Sequence, residues 1–548
     1  MNRVTNENFK EMYPQIERAL RNASFIAIDA EFSGLISGTG EEPSSQSLFD
    51  TAAERYAKLR NQIEPFIAIQ FGLTAFGHRN GENTYNAESF VFYLIPRDLP
   101  TRNRVFLFQS ASIDFLSSYS FDFNQFACNG ISYLDEEDER KLCRSLKDNV
   151  SLWLARDFVS MKVEEEIDDC FKRVQSWLAD ESCTDKVLTM ETSSFPVEYL
   201  LHKELRHSFK GVWTESSGRR MLSVIKVTAD VRTSLEEENN AADKLDTELL
   251  DYYTGFSKVF KLMTSLRKPI VGHNLLLDLM FMHKQFFTPL PRRYETFKDN
   301  INRLFPLVYD TKYLSFELKK VLHRESWKSN VLGNLYGYFK DGPGKHLVLN
   351  SPRIENPGNN AVADQERFHD AGWDSYCTGY CFVRMAHIYA VKKLSNDADM
   401  RDLTNVEIMT GVRDRVNRVN LIRADLSHLR LDNPDPPSTR PRWLHVRTTT
   451  NDITTRQIAQ AFSCFGAVDV KRYSAKCLLV AVSNHGIARN ILKRYEKGLE
   501  FRVVPYNPLI HSPKTMKALL WTGSLILTGA GFFAWFVGRN TLESKPLG

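Results

Sequence analysis

The chain has 548 residues, 43% hydrophobic and 25% charged, a composition ordinary for a folded protein and long enough for several domains with ample core. Its net charge of +4 is too mild to announce a nucleic-acid binder by composition alone. None of the eight cysteines forms a C-x-x-C pair, which argues against a zinc ribbon and suggests no disulfide framework.

The N-terminus lacks an apolar h-region, so no secretory signal is expected. Residues 6–22 read as an amphipathic helix, with Phe9, Met12, Ile16 and Leu20 at helical spacing. Residues 25–34 read as a buried strand carrying Asp29 and Glu31. Side chains at i and i+2 of a strand share a face, so the two carboxylates repel unless a cation lies between them. A strand running out into solvent would show the same D-x-E pattern. Residues 66–73 and 90–95 read as further strands, which suggests an antiparallel beginning to a mixed sheet.

From 150 to about 240 the pattern changes. A long amphipathic helix (163–179) precedes a small unit rich in basic and aromatic residues, among them His202, Arg206, His207 and Trp213, and an inserted domain is expected there. The first pattern then resumes. A strand at 269–274 ends in turn residues, a helix at 275–285 carries Asp278, and a strand at 307–311 carries Asp310, with Lys312 following. Residues 341–360 are rich in Gly, Pro and Asn and read as a loop. His369 and Asp374 lead into a long helix to about 393, on which Cys377 and Cys381, one turn apart, mark an apolar face. A Pro-rich linker (433–441) precedes a β-α-β-β-α-β pattern over 442–506, ferredoxin-like as in an RNA-recognition motif. Residues 518–537 contain no charge and are just long enough to span a bilayer. With Trp521, Trp535 and basic flanks, they read as a tail anchor for the mitochondrial outer membrane, the endoplasmic reticulum being the alternative.

Four segments thus offer metal-capable groups in order: Asp29-x-Glu31, Asn274-x-x-x-Asp278, Asp310, and His369-x-x-x-x-Asp374. Five residues are about 140° of helix rotation, so His369 and Asp374 need not share a helix face. Gly372 allows His369 to sit on the loop before the helix while Asp374 rides its first turn. Carboxylates that neutralise two Mg²⁺ ions, with a histidine to accept a proton from water, suit two-metal phosphodiester hydrolysis.

These motifs resemble those of the DEDDh exonucleases of the RNase H-like fold. Longer strings resemble the PARN family more specifically: Ala27-Ile28-Asp29-Ala30-Glu31-Phe32-Ser33-Gly34, Ser112-Ile113-Asp114-Phe115-Leu116, Gly272-His273-Asn274-Leu275-Leu276-Leu277-Asp278 and Asp310-Thr311-Lys312. The resemblance implies an α/β, RNase H-like mixed-sheet exonuclease domain (1–150 and 245–400) with an inserted R3H-like domain (151–244). A helical and Pro-rich linker (401–441), an RRM-like domain (442–507) and a transmembrane tail (518–537) would complete the chain. It implies Asp29, Glu31, Asp278 and Asp374 as ligands of two Mg²⁺ ions and His369 as general base. Phe32, Leu35, Phe115 and Lys312 would hold the 3′-terminal nucleotides. Two departures stand out. The R3H signature Arg-x-x-x-His is missing after Arg206, and the RRM-like strands lack the central aromatics on which bases stack.

With the tail, the chain resembles the membrane-anchored PARN-like subfamily that trims piRNA precursors. That implies 3′-to-5′ trimming of single-stranded RNA 3′ ends, a PIWI-clade Argonaute protein holding the RNA, a Tudor-KH scaffold protein as partner, and a possible homodimer. A membrane-tethered poly(A) deadenylase and a catalytically dead RNA-binding adaptor are the competing readings; the filled catalytic positions argue against the second.

Overall fold

The computed structural model describes residues 1–36, 46–79, 81–99, 103–147, 161–180, 184–218, 220–239, 241–322, 327–356, 368–394, 401–449, 453–496 and 500–512, and then 515, 521–522, 528–535 and 537. The chain divides into two compact units. The first comprises Met1–Glu42, Tyr56–Asn420 and Arg430–Pro434, the second Pro43–Arg55, Leu421–Leu429 and Asp435–Gly548.

Strands β1 (Asn2–Val4), β2 (Phe25–Phe32), β3 (Ala68–His78) and β4 (Thr84–Tyr93) open the first unit. A separate small sheet follows, of β5 (Val187–Glu191), β6 (Val212–Ser216) and β7 (Met221–Lys226) in the order β5-β7-β6. The main sheet resumes with β8 (Ile270–Gly272), β9 (Val308–Asp310), β10 (Arg353–Glu355) and β11 (Arg418–Asn420), giving the order β1-β4-β3-β2-β8-β9-β11. β2 runs antiparallel to β3 and parallel to β8, so the sheet is mixed and β2 is internal. An internal strand covered on both faces must be apolar at both parities. Phe25, Ala27, Ile26 and Ile28 meet that demand, all of them fully buried or nearly so. This is the α/β, RNase H-like arrangement.

The sheet is more extensive than the sequence suggests. β3 and β4 form a longer hairpin than expected. The segment read as a loop supplies β10, which pairs with β4 at Thr84–Asn86 while β1 pairs with it at Phe90–Phe92. The segment read as a linker supplies the helix Asn405–Val412 and β11, which adds parallel to β9. Three-residue strands carry too few residues to show a period.

The helix Ala371–Lys393 packs across β2, β3 and β4 and is buried at nearly every position through Val391. Such a helix is apolar on all sides because it has core on all sides. Cys377 and Cys381 lie fully buried in this core beside Phe25 and Phe76. Small residues face the sheet. A Cβ on Gly72 of β3 would occupy the Ala371 carbonyl, and one on Gly379 would enter the Phe76 ring. Ser375 Oγ bonds Thr74 Oγ1 at 2.7 Å, and Ala371 N donates to Gln70 Oε1 at 2.9 Å.

The second unit contains the strands Leu444–Thr448, Val468–Ser474, Cys477–Val482 and Phe501–Pro505 and the helices Thr455–Ser463 and His485–Tyr495. The chain runs β-α-β-β-α-β, and the antiparallel sheet has Leu444–Thr448 and Cys477–Val482 at its centre. Capping is explicit: Thr454 and Gln457 form a capping box, and Asn484 accepts from Ile487 N. Among the described residues no helix is long and apolar enough to cross a membrane. Of the span expected at 518–537, residues 518–520, 523–527 and 536 lie outside those described.

Candidate active site

β2 carries Asp29 and Glu31 opposite Gly72 and Gln70 of β3, with a register shift just after Glu31. The helix Leu276–Met282 supplies Asp278 in its first turn. Asp370 caps the helix Ala371–Lys393 by accepting from Gly372 N and Trp373 N, so His369 lies outside the helix and Asp374 in its first turn. His369 has a positive φ of 67°. Its backbone N–H donates to Asp374 Oδ2 at 3.0 Å, which ties the loop to the carboxylate. Gly72 is the reason this end of the helix can reach β2: the helix start rests on a bare backbone between Gln70 and Thr74.

The outcome is a convergence of acids. Ligand atoms of Glu31, His369 and Asp374 lie within 4.8 Å of one another. Burial, followed by repulsion from Asp374, Asp278, Glu31 and Asp370, holds the Asp29 carboxyl well above the usual carboxylate range. Burial and then Asp374, Asp278 and Asp370 do the same to Glu31. Asp278 and Asp374 are also raised, chiefly by burial. Asp374 Oδ1 is buried with no hydrogen-bond donor, although its twin oxygen has one. Clustered carboxylates with an oxygen left over are a fitting donor set for a hard divalent cation.

Not every acid in the motifs belongs to this cluster. Asp310 is fully buried and spends its oxygens on backbone N–H groups. Oδ1 accepts from Asn274, Lys312 and Tyr313, and Oδ2 from Leu275 and Asn420. It is a staple joining β8, β9 and β11, which corrects its inclusion among metal-capable groups. Asn274 is likewise engaged, its Oδ1 accepting from Asn420 Nδ2 at 2.9 Å.

The expected nucleotide-holding residues divide. The Phe115 ring meets His369 edge-on at 4.7 Å between centroids and is 42% exposed. Phe32 stacks on Phe281 at 4.3 Å, on the helix that carries Asp278. Leu35 is exposed on the loop after β2, its N–H bonded to Gln109 Oε1 at 3.2 Å. Lys312 lies beside Asp310 and His273. Burial lowers its ammonium pKa, while burial and that ammonium push His273 down to about 3.

Two residues at the site were not singled out from the sequence. Asp370 adds a fifth carboxylate to the cluster, and its position just before the long helix marks it as an N-cap. Tyr119 packs on His369 at 4.1 Å and stands four residues after Phe115, at helical spacing.

In the inserted region, His202 and Arg206 are turned inward. Both bond Thr214 Oγ1, at 2.7 and 2.8 Å, and the Arg206 guanidinium lies 3.8 Å from the Trp213 ring centroid. They stand in the order His-x-x-x-Arg, the reverse of the signature sought. Their polar atoms serve the packing of this small sheet.

Residues 4–382 match the CAF1 family of ribonucleases. The chain belongs to that family. It is a 3′-to-5′ exoribonuclease. Among curated relatives it is 34% identical to the pre-piRNA 3′-exonuclease trimmer of Bombyx mori, over 97% of this chain and 98% of that one. It is 30% identical to the poly(A)-specific ribonuclease PNLDC1 of Mus musculus, covering 98% and 99% of the two chains. To the poly(A)-specific ribonuclease PARN of Xenopus laevis it is 32% identical, over 88% of this chain and 76% of that one. The RNase domain of yeast Pop2 is a solved structure that aligns at 10% identity and a TM-score of 0.34, covering 71% of this chain and 86% of the other.

Proposed function

We propose that this CAF1-family ribonuclease is a Mg²⁺-dependent enzyme that trims the 3′ ends of single-stranded RNA, namely piRNA precursors held by a PIWI-clade Argonaute protein. The observation that carries the chemistry is the convergence of Asp29, Glu31, Asp278 and Asp374 with His369, from three separated segments, in one cluster. Those four carboxylates would hold two Mg²⁺ ions, which when bound supply charge to the attacking and departing oxygens. Burial lowers the His369 pKa, so its imidazole is neutral at physiological pH and able to accept a proton from water. Phe115 and Tyr119 hold that ring in place from one side, and the bond from its own backbone to Asp374 holds it from the other. Phe32, Leu35, Phe115 and Lys312 are the groups we assign to the terminal nucleotides.

The end-to-end match with a pre-piRNA trimmer supports the substrate, and the uncharged stretch 518–537 supports anchorage, by preference on the mitochondrial outer membrane. In this reading the insert is R3H-like, the β-α-β-β-α-β region is RRM-like, a Tudor-KH scaffold on the same membrane is the partner, and the nuclease unit pairs as a homodimer. A second reading, poly(A) deadenylation, is favoured by the names of two of the relatives. Purified enzyme with Mg²⁺ should shorten mixed-sequence RNA as readily as oligo(A), and EDTA should stop it. Strong preference for oligo(A) would transfer the assignment to the deadenylase. Equal shortening by the parent and Asp29→Asn would remove the assigned site altogether.

A further inference from the structure

In β-α-β-β-α-β units that bind RNA, bases stack on the sheet face opposite the helices. Here the chain closes that face itself. Core-facing Val446, Leu478 and Val480 alternate with His445, Leu479 and Ala481 on the other side, yet these three are also buried, at 7, 4 and 3% exposure. His511 stacks on His445 at 4.3 Å, Leu48 N donates to Asp469 Oδ2 at 2.7 Å, and Phe49 packs on Trp443 at 5.1 Å. All of these residues belong to the second unit.

The same unit has an open groove of about 800 Å³ between the helix His485–Tyr495 and the edge strand Phe501–Pro505. Leu444, Leu492 and Val503 are among its apolar lining, and Arg442, Arg489, Lys493 and Arg502 line it against a single acid, Glu496. All four cations are exposed, and none makes an ion pair or hydrogen bond with a described residue. Their spacing is unfavourable in the free protein. Arg489 and Lys493 are i,i+4 on the helix, where like charges destabilise. Arg502 stands directly across from Arg447 in the sheet, where like charges also destabilise. An anion in the groove would offset the first penalty, and it would lie beside Arg502, which also lines the groove.

We propose that this groove binds the phosphodiester backbone of single-stranded RNA upstream of the 3′ end being cut, a role that rests on the exoribonuclease reading. Four Arg and Lys side chains among apolar lining suit a repeating phosphate, which needs charge at intervals and no base readout. An acidic protein segment is the competing occupant.

The test uses the full chain carrying Asp29→Asn, fluorescein-labelled single-stranded RNA of about 30 nucleotides, and anisotropy across a salt series. Changing Arg442, Arg489, Lys493 and Arg502 together to Gln should weaken binding at least about tenfold and lower the log–log salt slope by about 3, four phosphate contacts at roughly 0.7 each. Arg489→Glu alone, at an exposed helix position, should weaken binding in the same direction if the fourfold variant folds poorly. Arg456→Gln, on the other helix, should bind like the parent. Unchanged affinity and slope in folded variants would overturn the proposal. So would loss of binding to a labelled poly-glutamate peptide with RNA binding intact. Absence of RNA shortening by the unmutated enzyme would instead overturn the catalytic reading, and the binding data would still decide the groove.

Discussion

Asp29, Glu31, Asp278 and Asp374 are buried acids, and pH reports what their ionisation costs there. Burial comes first among the causes that lift Asp374 to about 7 and Asp278 to about 8. In the unfolded chain such groups titrate near 4. Between those values the folded state holds more protons than the unfolded one, so stability falls as pH rises through that window. Thermal unfolding in EDTA should therefore show a lower Tm at pH 8 than at pH 5. Added Mg²⁺ should raise Tm more at pH 8, where no proton competes for the oxygens. A metal-free Tm that climbs from pH 5 to pH 8 would contradict the burial of these acids. Two aspartates then predict opposite effects. Asp278→Asn should cut kcat by about 10³-fold or more while raising the Tm of the metal-free protein at pH 8. Asp310→Asn should lower stability by about 3 kcal/mol, because buried N–H donors lose a charged acceptor. Paired activity and unfolding measurements would distinguish a cation-holding acid from a structural one.

At the scale of elements, the site depends on how closely the helix Ala371–Lys393 lies on β3. Gln70, Gly72 and Thr74 alternate along one strand face and all meet the start of that helix. Gly72→Ala puts a methyl group where the Ala371 carbonyl stands, and backbone cannot yield as a side chain can. The expected cost is about 1–3 kcal/mol of stability from overpacking. Activity should fall further, by about 10²-fold, because Asp374 and His369 move with the helix end. Gly379→Ala, two turns further along, meets the Phe76 ring instead. It should cost similar stability with a much smaller loss of kcat. Equal loss of kcat in the two variants would show that helix position does not set the site.

At the scale of the whole molecule, the proposed membrane anchorage is expected to be separable from catalysis. The nuclease sheet and its carboxylates belong to the first unit, whereas the uncharged stretch 518–537 belongs to the second. On the proposed anchorage, the full chain should sediment with mitochondrial membranes in cell fractionation and deletion of 518–548 should release it, with shortening of naked RNA retained within about twofold, since no group assigned to the reaction lies beyond Asp374. A deleted form that still sediments with mitochondria would remove the anchor from the account.

The sequence by itself determined the strand and helix carriers of the acids, the order of the four motifs, and the loop position available to His369 before its helix. These are local properties, written in alternation, helical spacing and Gly372 between His369 and Asp374. The tertiary structure decided which acids meet. Asp310 counted as metal-capable because it is a carboxylate at a strand end, and only the folded strands showed its oxygens occupied by five backbone donors. Only the fold added Asp370 and Tyr119 to the site, and only the fold showed His202 and Arg206 turned inward. The physical reason is that a carboxylate's role depends on which donors, cations or other carboxylates surround it. Those neighbours come from segments hundreds of residues apart, and no local pattern encodes them.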